Sequence, residues 1–451
     1  MPRFPKNFVW GTATSAYQIE GGIAEGGRGA SIWDTFSHRA GTILDGSNGD
    51  IAIDHYNLRD EDIDLMAEFG IKAYRFSIAW PRIFPQGVGN INDPGMAFYD
   101  KLVDKLLEKD IQPWVTLYHW DLPQALEDRG GWPNRDTVLY FVAYAEAVSK
   151  ALGDRVKHWI THNEPWVFSY LGYYMGTHAP GEQDLWAAVR ATHHALLSHG
   201  IAVPVIRSNS VAANVGITLN LAPIYPMTDS PADVMAARHH DGWLNRWFLD
   251  PLFRRGYPED MMHLFGQYKP GIEDGDMAKI GTPIDFLGLN YYSAHYVRAV
   301  SSDENMLGFS ALGPEDLENF GFELTEMGWP IVPDGMTDIL IQVHEEYEPK
   351  SIIITENGAA FADAPVNNIV DDPRRVDYLR HHLEAVRVAI KNGVPVDGYF
   401  AWSFFDNFEW AEGYTKRFGL VYVDYEDDNK RIPKTSAAWY NRVIEANAIV
   451  D

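Results

Sequence analysis

The sequence predicts an α/β fold, a single (β/α)₈ TIM barrel that spans residues 1–451 as one domain with long βα loops around a cleft. Two observations carry this prediction. Eight short apolar segments alternate with longer amphipathic ones, and each apolar segment is nearly continuous, as in strands buried on both faces of a parallel sheet. The predicted strands cover residues 8–12, 73–77, 112–117, 156–161, 215–220, 285–290, 351–355 and 398–403. A doubly wound open sheet is the alternative.

The segments between the predicted strands have helical periodicity. Apolar residues recur at helical spacing over 138–152 and over 376–390. Asp93 and Asp372 are each followed by proline, a pattern typical of an N-cap and the first helical position. The segment 291–330 is too long for an ordinary connection, so we expect it to form a wall of a cleft at the carboxyl end of the barrel.

Composition excludes several classes of protein. The chain carries 37 Lys and Arg against 63 Asp and Glu, a net charge of −26, which disfavours nucleic acid and anionic membranes as partners. It contains no cysteine, and no stretch approaches the ~20 apolar residues that span a bilayer. Residues 1–7 lack the pattern of a signal peptide. We therefore expect a cytoplasmic protein, which could form homo-oligomers.

Two carboxyl groups follow predicted strands on opposite sides of the barrel. Glu164 comes after the fourth strand and Glu356 after the seventh, each beside an asparagine. Barrel enzymes place catalytic groups at these strand ends. A pair of carboxyl groups facing each other is what glycosidic cleavage requires, because one donates a proton while the other attacks or activates water. The 15 Trp, 23 Tyr and 22 Phe residues also suit a cleft for sugars.

Several collinear motifs resemble one family of enzymes. They cover residues 8–21, 74–77, 119–121, 289–292, 402–403 and 406–410. Over essentially its whole length the sequence resembles the family 1 glycoside hydrolases, the β-glucosidase family. The resemblance implies a retaining β-glycosidase that hydrolyses terminal non-reducing β-D-glucosyl residues by double displacement, in carbohydrate metabolism such as cellulose degradation.

The resemblance also implies roles for the two carboxyl groups and their neighbours. Glu164 would be the general acid/base and Glu356 the nucleophile that forms the covalent glycosyl-enzyme. In retaining enzymes these groups lie roughly 5–5.5 Å apart. Arg75 and Tyr292 would flank the nucleophile and keep it ionised. Glu164 must instead stay protonated, by burial or by repulsion between like charges.

Sugar recognition is assigned by the same matching. The implied substrate-binding residues are Gln18, His119, Trp120, Asn163, Asn290, Tyr292, Trp402, Glu409 and Trp410. Gln18 and Glu409 would hold hydroxyls of the non-reducing sugar, Trp402 would stack under it, and Asn163 would bond its 2-hydroxyl. Phe168, His178 and Trp329 are expected on the aglycone side.

The sequence departs from the family pattern at His162, where phenylalanine is frequent, and we expect this to change packing and not mechanism. Adjacent histidines diverge on a helix, so we expect no metal site and no cofactor. The expected partner is a small β-glycoside or a short oligosaccharide. Two alternatives stay open: a non-catalytic β-glycoside-binding barrel, and a 6-phospho-β-glycosidase. Glu409 disfavours the second, because its carboxylate would repel a phosphate, and Lys416 is the one nearby cation that we can name.

Overall fold

A closed barrel of eight parallel strands forms the centre of the computed structural model, which describes residues 3–451. The last strand pairs with the first, so the predicted (β/α)₈ barrel is confirmed and the open sheet is wrong. Every predicted strand is present, with ends that differ by at most two residues. The barrel strands are β1 (Val9–Ala13), β2 (Ala73–Ser77), β3 (Gln112–Tyr118), β4 (His158–Asn163), β5 (Asn214–Asn220), β7 (Phe286–Asn290), β10 (Ile352–Asn357) and β11 (Val396–Trp402).

Helices surround the barrel and follow its strands. They are α1 (Ala16–Ile19), α2 (Ile32–Ser37), α3 (His55–Glu68), α4 (Trp80–Ile83), α5 (Asp93–Glu108), α6 (Gln124–Glu127), α7 (Asp136–Leu152), α8 (Leu185–Asn209), α9 (Pro231–Asp241), α10 (Trp247–Leu252), α11 (Glu259–Phe265), α12 (Asp276–Ile280), α13 (Pro314–Asn319), α14 (Pro333–Tyr347), α15 (Pro373–Lys391) and α16 (Thr435–Ala446). Short π-helical turns cover Val167–Leu171 and Gly242–Arg246, and 3₁₀ turns cover Gly266–Tyr268 and Trp410–Glu412. The two predicted helical segments lie within α7 and α15. None of the helices among residues 3–451 is long and apolar enough to cross a membrane.

Both predicted helix caps differ from the structure in detail. Asp93 is the first residue of α5 and Asn92 precedes it, so the predicted cap is wrong by one position. Asp372 does precede α15, but its side chain does not cap that helix. Its carboxylate instead accepts hydrogen bonds from Ser436 and Arg375. The side chain thus connects α15 to the start of α16.

Two barrel strands contain one extra residue near their carboxyl ends. Between β4 and β5, Ile160 pairs with Gly216 and Asn163 with Thr218, so β4 advances by three residues while β5 advances by two. Between β10 and β7 the same irregularity falls between Ile354 and Glu356. Such β-bulges reverse the alternation of side chains beyond them. Beyond each bulge, the side chains at the end of the strand therefore point to the opposite face of the sheet from the one they would occupy in a regular strand.

The lower part of the barrel interior is apolar. Trp114, Phe286 and Phe400 are buried there, and the Trp114 ring lies edge-on to the other two, with ring centroids 5.3 and 5.2 Å apart. Ile160 and Ile353 belong to the same cluster. Polar side chains lie nearer the carboxyl ends of several strands, among them Asn163 of β4 and Glu356 of β10. This cluster closes the bottom of the barrel and leaves the upper end for a site.

The long segment after β7 has structure of its own. It contains β8 (His295–Ala299), β9 (Phe309–Ala311) and α13, and β8 pairs with both β9 and β6 (Ile224–Pro226) in a small sheet. A second small sheet joins β12 (Val421–Asp424) to β13 (Lys430–Pro433).

Candidate active site

A cavity of about 530 Å³ lies at the carboxyl end of the barrel and contains both carboxyl groups. Glu164 follows β4, and Glu356 lies near the end of β10. These strands stand across the barrel from each other, as predicted. The other sequence-predicted residues that line the cavity are His119, Trp120, His178, Asn290, Tyr292, Trp329, Trp402, Glu409 and Trp410. Segment 291–330 supplies one wall, as expected.

Glu356 is held by a cation and a phenol. The Arg75 guanidinium donates to its Oε1 at 2.5 Å, and the Tyr292 hydroxyl donates to its Oε2 at 2.6 Å. Arg75 reaches the carboxylate from β2, where it is fully buried. Both oxygens of Glu356 thus accept charge-stabilising hydrogen bonds, which favour the ionised form.

Glu164 has a different environment. The backbone of Glu164 adopts a positive φ of 50°. Its side-chain Oε1 accepts a single hydrogen bond, from the Asn290 side-chain amide at 2.7 Å. Asn290 is oriented in turn by Thr355, whose hydroxyl donates to Asn290 Oδ1 at 2.7 Å. No cationic side chain among residues 3–451 forms an ion pair with Glu164, which leaves burial to dominate its ionisation.

The two environments separate the acidities of the two carboxyl groups. Burial, reinforced by the negative charge of Glu356, raises the pKa of Glu164 to about 8. Burial also raises the pKa of Glu356, but Arg75 and the Tyr292 hydroxyl oppose that rise. At neutral pH a shared proton therefore resides on Glu164. The two carboxyl groups therefore differ in protonation state at neutral pH.

A buried polar layer connects the two carboxyl groups beneath the cavity. Asn163 Oδ1 accepts from Arg75 Nη2 at 2.7 Å and from Asn290 Nδ2 at 3.1 Å. The Asn163 side-chain amide lies 3.1 Å from His119 Nε2, which therefore accepts. Burial lowers the pKa of His119 well below its usual value, so the ring is neutral. Asn163 and Arg75 support this layer and do not themselves line the cavity. Direct contact of Asn163 with a sugar stays a prediction.

Gln18 and Glu409 are neighbours, as the motif matching implied. The Gln18 amide donates to Glu409 Oε2 at 3.3 Å and to Asn407 Oδ1 at 3.0 Å. Gln18 is fully buried and does not line the cavity, whereas Glu409 does. Burial and the charge of Glu356 raise the pKa of Glu409 to about 8. Gln18 thus orients the Glu409 carboxyl, and its own contact with a sugar stays a prediction.

Aromatic rings form another wall of the cavity. Trp402 lies nearly parallel to His119, with ring centroids 5.9 Å apart. Trp410 packs against Trp120 at 4.5 Å. The Trp120 indole donates to the Asn163 carbonyl at 2.9 Å, which ties this wall to the polar layer. Ring faces beside polar groups suit the alternating apolar and hydroxyl surfaces of a sugar.

The predicted aglycone-side residues divide into two groups. His178 and Trp329 line the cavity, but Phe168 does not. The Phe168 ring is buried against Tyr118, at 5.0 Å between centroids, and near Trp132 at 5.7 Å. Its assignment to the cavity is therefore wrong, because the π-helical turn after Glu164 directs it into the helical shell.

Several lining residues were missed by sequence reasoning. They are Trp166, Val167, Leu171, Leu221, Tyr296, Leu312 and Met327, with Glu412 at the rim. Trp166 had a usable signal, because it follows Glu164 by two positions beyond a barrel strand. No pattern in segment 291–330 indicated which of its residues line the cavity. Their positions depend on how β8, β9 and α13 fold back onto the barrel.

His162 points away from the cavity, as expected. Its Nε2 lies 2.8 Å from the Ser198 hydroxyl, and its ring stacks on Phe141 with centroids 4.3 Å apart. Both partners belong to the surrounding helices α7 and α8. The bulge in β4 explains this orientation, because it places Asn163 instead of His162 on the inner face.

A buried acid of raised pKa opposite a carboxylate held by a cation, inside a cleft of aromatic and polar groups, defines a glycoside-cleaving enzyme. The family model "Glycosyl hydrolase family 1" matches residues 1–449, and the chain belongs to this family. It is a retaining glycosidase.

Known relatives cover the whole chain. Beta-glucosidase A of Acetivibrio thermocellus is 47% identical over 449 residues, which is 98% of each chain. A 1,4-beta-D-glucan glucohydrolase of Thermotoga neapolitana is 47% identical over 453 residues and all of both chains. The family 1 β-glucosidase of Thermotoga maritima superposes with a TM-score of 0.95 at 46% identity, covering 100% of this chain and 99% of that one. The Thermotoga maritima enzyme has also been solved in complex with deoxynojirimycin.

Proposed function

We propose that this chain is a β-glucosidase in which Glu356 is the nucleophile and Glu164 is the general acid/base. The observation that carries the assignment is the unequal environment of the two carboxyl groups. Arg75 and Tyr292 bond both oxygens of Glu356, whereas Glu164 accepts one bond from a neutral amide and has its pKa raised to about 8. The relatives named as β-glucosidases support a terminal β-D-glucosyl residue as the substrate group.

The reaction has two displacement steps in this assignment. The Glu356 carboxylate attacks the anomeric carbon while the bond to the leaving oxygen breaks, and the Glu164 proton passes to that oxygen. Glu164, now ionised, then accepts a proton from water as the water oxygen attacks the same carbon. The bond to Glu356 breaks, glucose leaves, and both carboxyl groups return to their starting states. Two inversions give net retention of configuration.

The non-reducing sugar is placed by the polar and aromatic walls. His119 Nε2 accepts from Asn163, so the Nδ1 hydrogen is available to a hydroxyl, and Nδ1 has no partner among residues 3–451. Glu409 supplies acceptors that Gln18 orients. Trp402 provides a ring face. We propose the sugar's hydroxyls contact these groups, while the leaving group extends towards Trp329 and His178.

The two rival functions are less well supported. A non-catalytic binding barrel has no use for a split in acidity between two buried carboxyl groups. A 6-phospho-β-glycosidase needs a cation near the sugar O6. Lys416 Nζ instead donates to the Glu326 carbonyl at 2.7 Å and lies 3.7 Å from the Glu412 carboxylate, and Lys416 does not line the cavity.

Replacing each carboxyl group separately tests the assignment. Glu356→Ala should lose nearly all turnover of p-nitrophenyl β-glucoside, and formate should partly restore cleavage of an activated glucosyl fluoride by filling the vacated space. Glu164→Ala should still form the glycosyl-enzyme from an activated aryl glucoside and show a burst, and azide should then yield β-glucosyl azide.

Glu412→Gln is the matched control, because Glu412 lines the same cavity and its carboxylate pairs with Lys416. It should keep most of the wild-type turnover. An active, unrescued Glu356→Ala variant would overturn the nucleophile assignment. Equal rate losses for good and poor leaving groups in Glu164→Ala would overturn the acid assignment.

A further inference from the structure

Six charged side chains, none more than 17% exposed, form one cluster next to the wall of the active-site cavity. They are three carboxylates and three cations: Asp363, Asp372, Asp406, Arg375, Arg417 and Lys434. Arg375 also donates to the carbonyl of Phe418, a residue that lines the cavity, at 3.3 Å. None of these six side chains lines the cavity itself, and no step of the proposed reaction uses them.

Lys434 connects two parts of this cluster. Its ammonium donates to Asp363 Oδ2 at 2.5 Å and to Asp406 Oδ1 at 2.8 Å, and its side chain is fully buried. Asp363 belongs to the segment that follows β10, the strand that carries Glu356, and Asp406 belongs to the segment that follows β11. Among residues 3–451, no other cation pairs with both carboxylates. Lys434 is therefore the ionic link between these two segments.

The position of the Lys434 ammonium is itself fixed. The Lys434 backbone N–H donates to the Leu420 carbonyl at 2.9 Å, just before α16 begins. Burial lowers the pKa of the Lys434 side chain, and the charges of Asp406 and Asp363 oppose that change. A buried ammonium without such partners would be strongly unfavourable. The two carboxylates must therefore stay where they can pair with it, which sets the spacing of their segments.

Asp406 begins the segment that places Glu409 in the cavity. The next residue, Asn407, accepts from the Gln18 amide at 3.0 Å, and the same amide donates to Glu409 Oε2 at 3.3 Å. Gln18 can therefore orient the Glu409 carboxyl only while the segment that starts at Asp406 keeps its position. A displacement of Asp406 would move both partners of the Gln18 amide.

We propose that Lys434 is a positioning residue that holds Glu409 in register with Glu356, through its paired contacts with Asp406 and Asp363. This inference rests on the proposed β-glucosidase function, and it adds a residue outside the cavity to those that determine how the sugar binds. Loss of the link should weaken the contribution of Glu409 to sugar binding. It should leave the chemistry at the two catalytic carboxyl groups in place.

A double-mutant cycle between Lys434 and Glu409 tests this role. Lys434→Met should lower kcat/KM for p-nitrophenyl β-glucoside about tenfold, because Glu409 no longer meets the sugar hydroxyls in register. In the Glu409→Ser background the same replacement should cost less than about twofold, since the group that Lys434 positions is already absent. A merely structural role for Lys434 would give the same loss in both backgrounds.

Asp363→Ala is a second variant, because it breaks the link but leaves the pair between Lys434 and Asp406 in place. It should lower kcat/KM about threefold, and this loss should also disappear in the Glu409→Ser background. Arg135→Met is the matched control, since Arg135 pairs with the buried Asp276 at 2.6 Å and neither residue lines the cavity. It should lower the melting temperature and keep kcat/KM within about twofold of the wild type.

The proposal is overturned if either Lys434→Met or Asp363→Ala keeps the wild-type kcat/KM, or if their losses persist unchanged in the Glu409→Ser background. It is also overturned if Glu409→Ser alone has full activity, or if Arg135→Met shows the same coupling to Glu409. Should Lys434→Met not fold, the cycle with Asp363→Ala decides the question by the same criteria. Failure of the wild type to cleave the aryl glucoside would instead overturn the proposed function.

Discussion

At the scale of single residues, the site gives identical functional groups different properties. Glu164 and Glu356 are both buried, and burial alone raises the pKa of each. Of the two carboxyl groups, only Glu356 is bonded by Arg75 and Tyr292, so the ionised form is stabilised on one side of the cleft. A carboxyl group with a pKa near 8 remains protonated through the neutral range, which is what a general acid requires.

This difference predicts the alkaline limb of the pH profile. Glu164 donates its proton, so kcat/KM for a poor leaving group should fall as pH rises through about 8, the pKa of Glu164. In Glu164→Gln that limb should vanish when an activated aryl glucoside is followed from pH 5 to 9. Glu412→Gln is the control and should leave the limb in place. A limb that persists in Glu164→Gln would assign it to another group.

Glu409 should determine which sugars enter. Glu409→Ser removes acceptors for two hydroxyl bonds, and losing two hydrogen bonds corresponds to about a hundredfold lower kcat/KM for glucosides. The penalty for a 6-phosphoglucoside should be smaller, because a carboxylate no longer faces the phosphate. Since the pKa of Glu409 is about 8, wild-type discrimination against the phosphorylated substrate should be larger at pH 8 than at pH 6. A wild type that prefers 6-phosphoglucosides would contradict this role.

At the scale of elements, the bulges in β4 and β10 decide which side chains reach the site. Thr355 is the extra residue of β10, and its hydroxyl contacts Asn290 Oδ1 at 2.7 Å. Glu356, one position later, also faces inward. A regular strand would turn one of these two adjacent side chains outward. The bulge thus supplies an orienting hydroxyl and a nucleophile from the same strand.

Thr355→Val tests the orienting role. Valine keeps the shape but cannot donate to Asn290, whose amide bonds Glu164. A net loss of about 1 kcal/mol for one hydrogen bond corresponds to about fivefold in kcat/KM. Thr12→Val in β1 is the matched control, because the buried Thr12 hydroxyl bonds nothing among residues 3–451. Equal effects on kcat/KM in both variants would contradict the prediction, and thermal unfolding would report any general destabilisation.

At the scale of the whole molecule, the fold encloses many neutral histidines. Burial lowers the pKa of His158, His178, His194, His295 and His382 to about 4, and that of His199 to about 3. The same groups titrate near 6.5 in an unfolded chain. Between these values the unfolded state binds protons that the folded state does not, so the free energy of unfolding decreases as pH falls.

Lowering the pH should therefore decrease the free energy of unfolding already at pH values above those at which carboxylates titrate. From pH 7 to pH 5 we expect the melting temperature to fall on the order of 10 °C. His162→Phe, which removes another buried histidine of lowered pKa, should reduce that fall, while the exposed His381→Phe should leave it unchanged. Calorimetry at several pH values measures both. A melting temperature that is constant from pH 7 to pH 5 would contradict the prediction.

The sequence by itself determined the barrel and its two carboxyl groups. Runs of apolar residues marked all eight strands, because strands buried on both faces leave little room for polar side chains. The position of a residue at a strand end fixes which end of a parallel barrel it occupies. The sequence alone therefore places Glu164 and Glu356 at one end of the barrel and on opposite sides of it.

Only the tertiary structure decided how side chains turn and what surrounds them. The bulges reverse alternation by one residue, and no local pattern in β4 or β10 indicates them. Phe168 was assigned to the cavity, yet the π-helical turn buries it in the shell. The acidity of Glu164 also depends on a group distant in sequence, Asn290. Alternation and propensity are local, whereas burial, repulsion between charges and cavity shape arise from contacts that the chain makes only when folded.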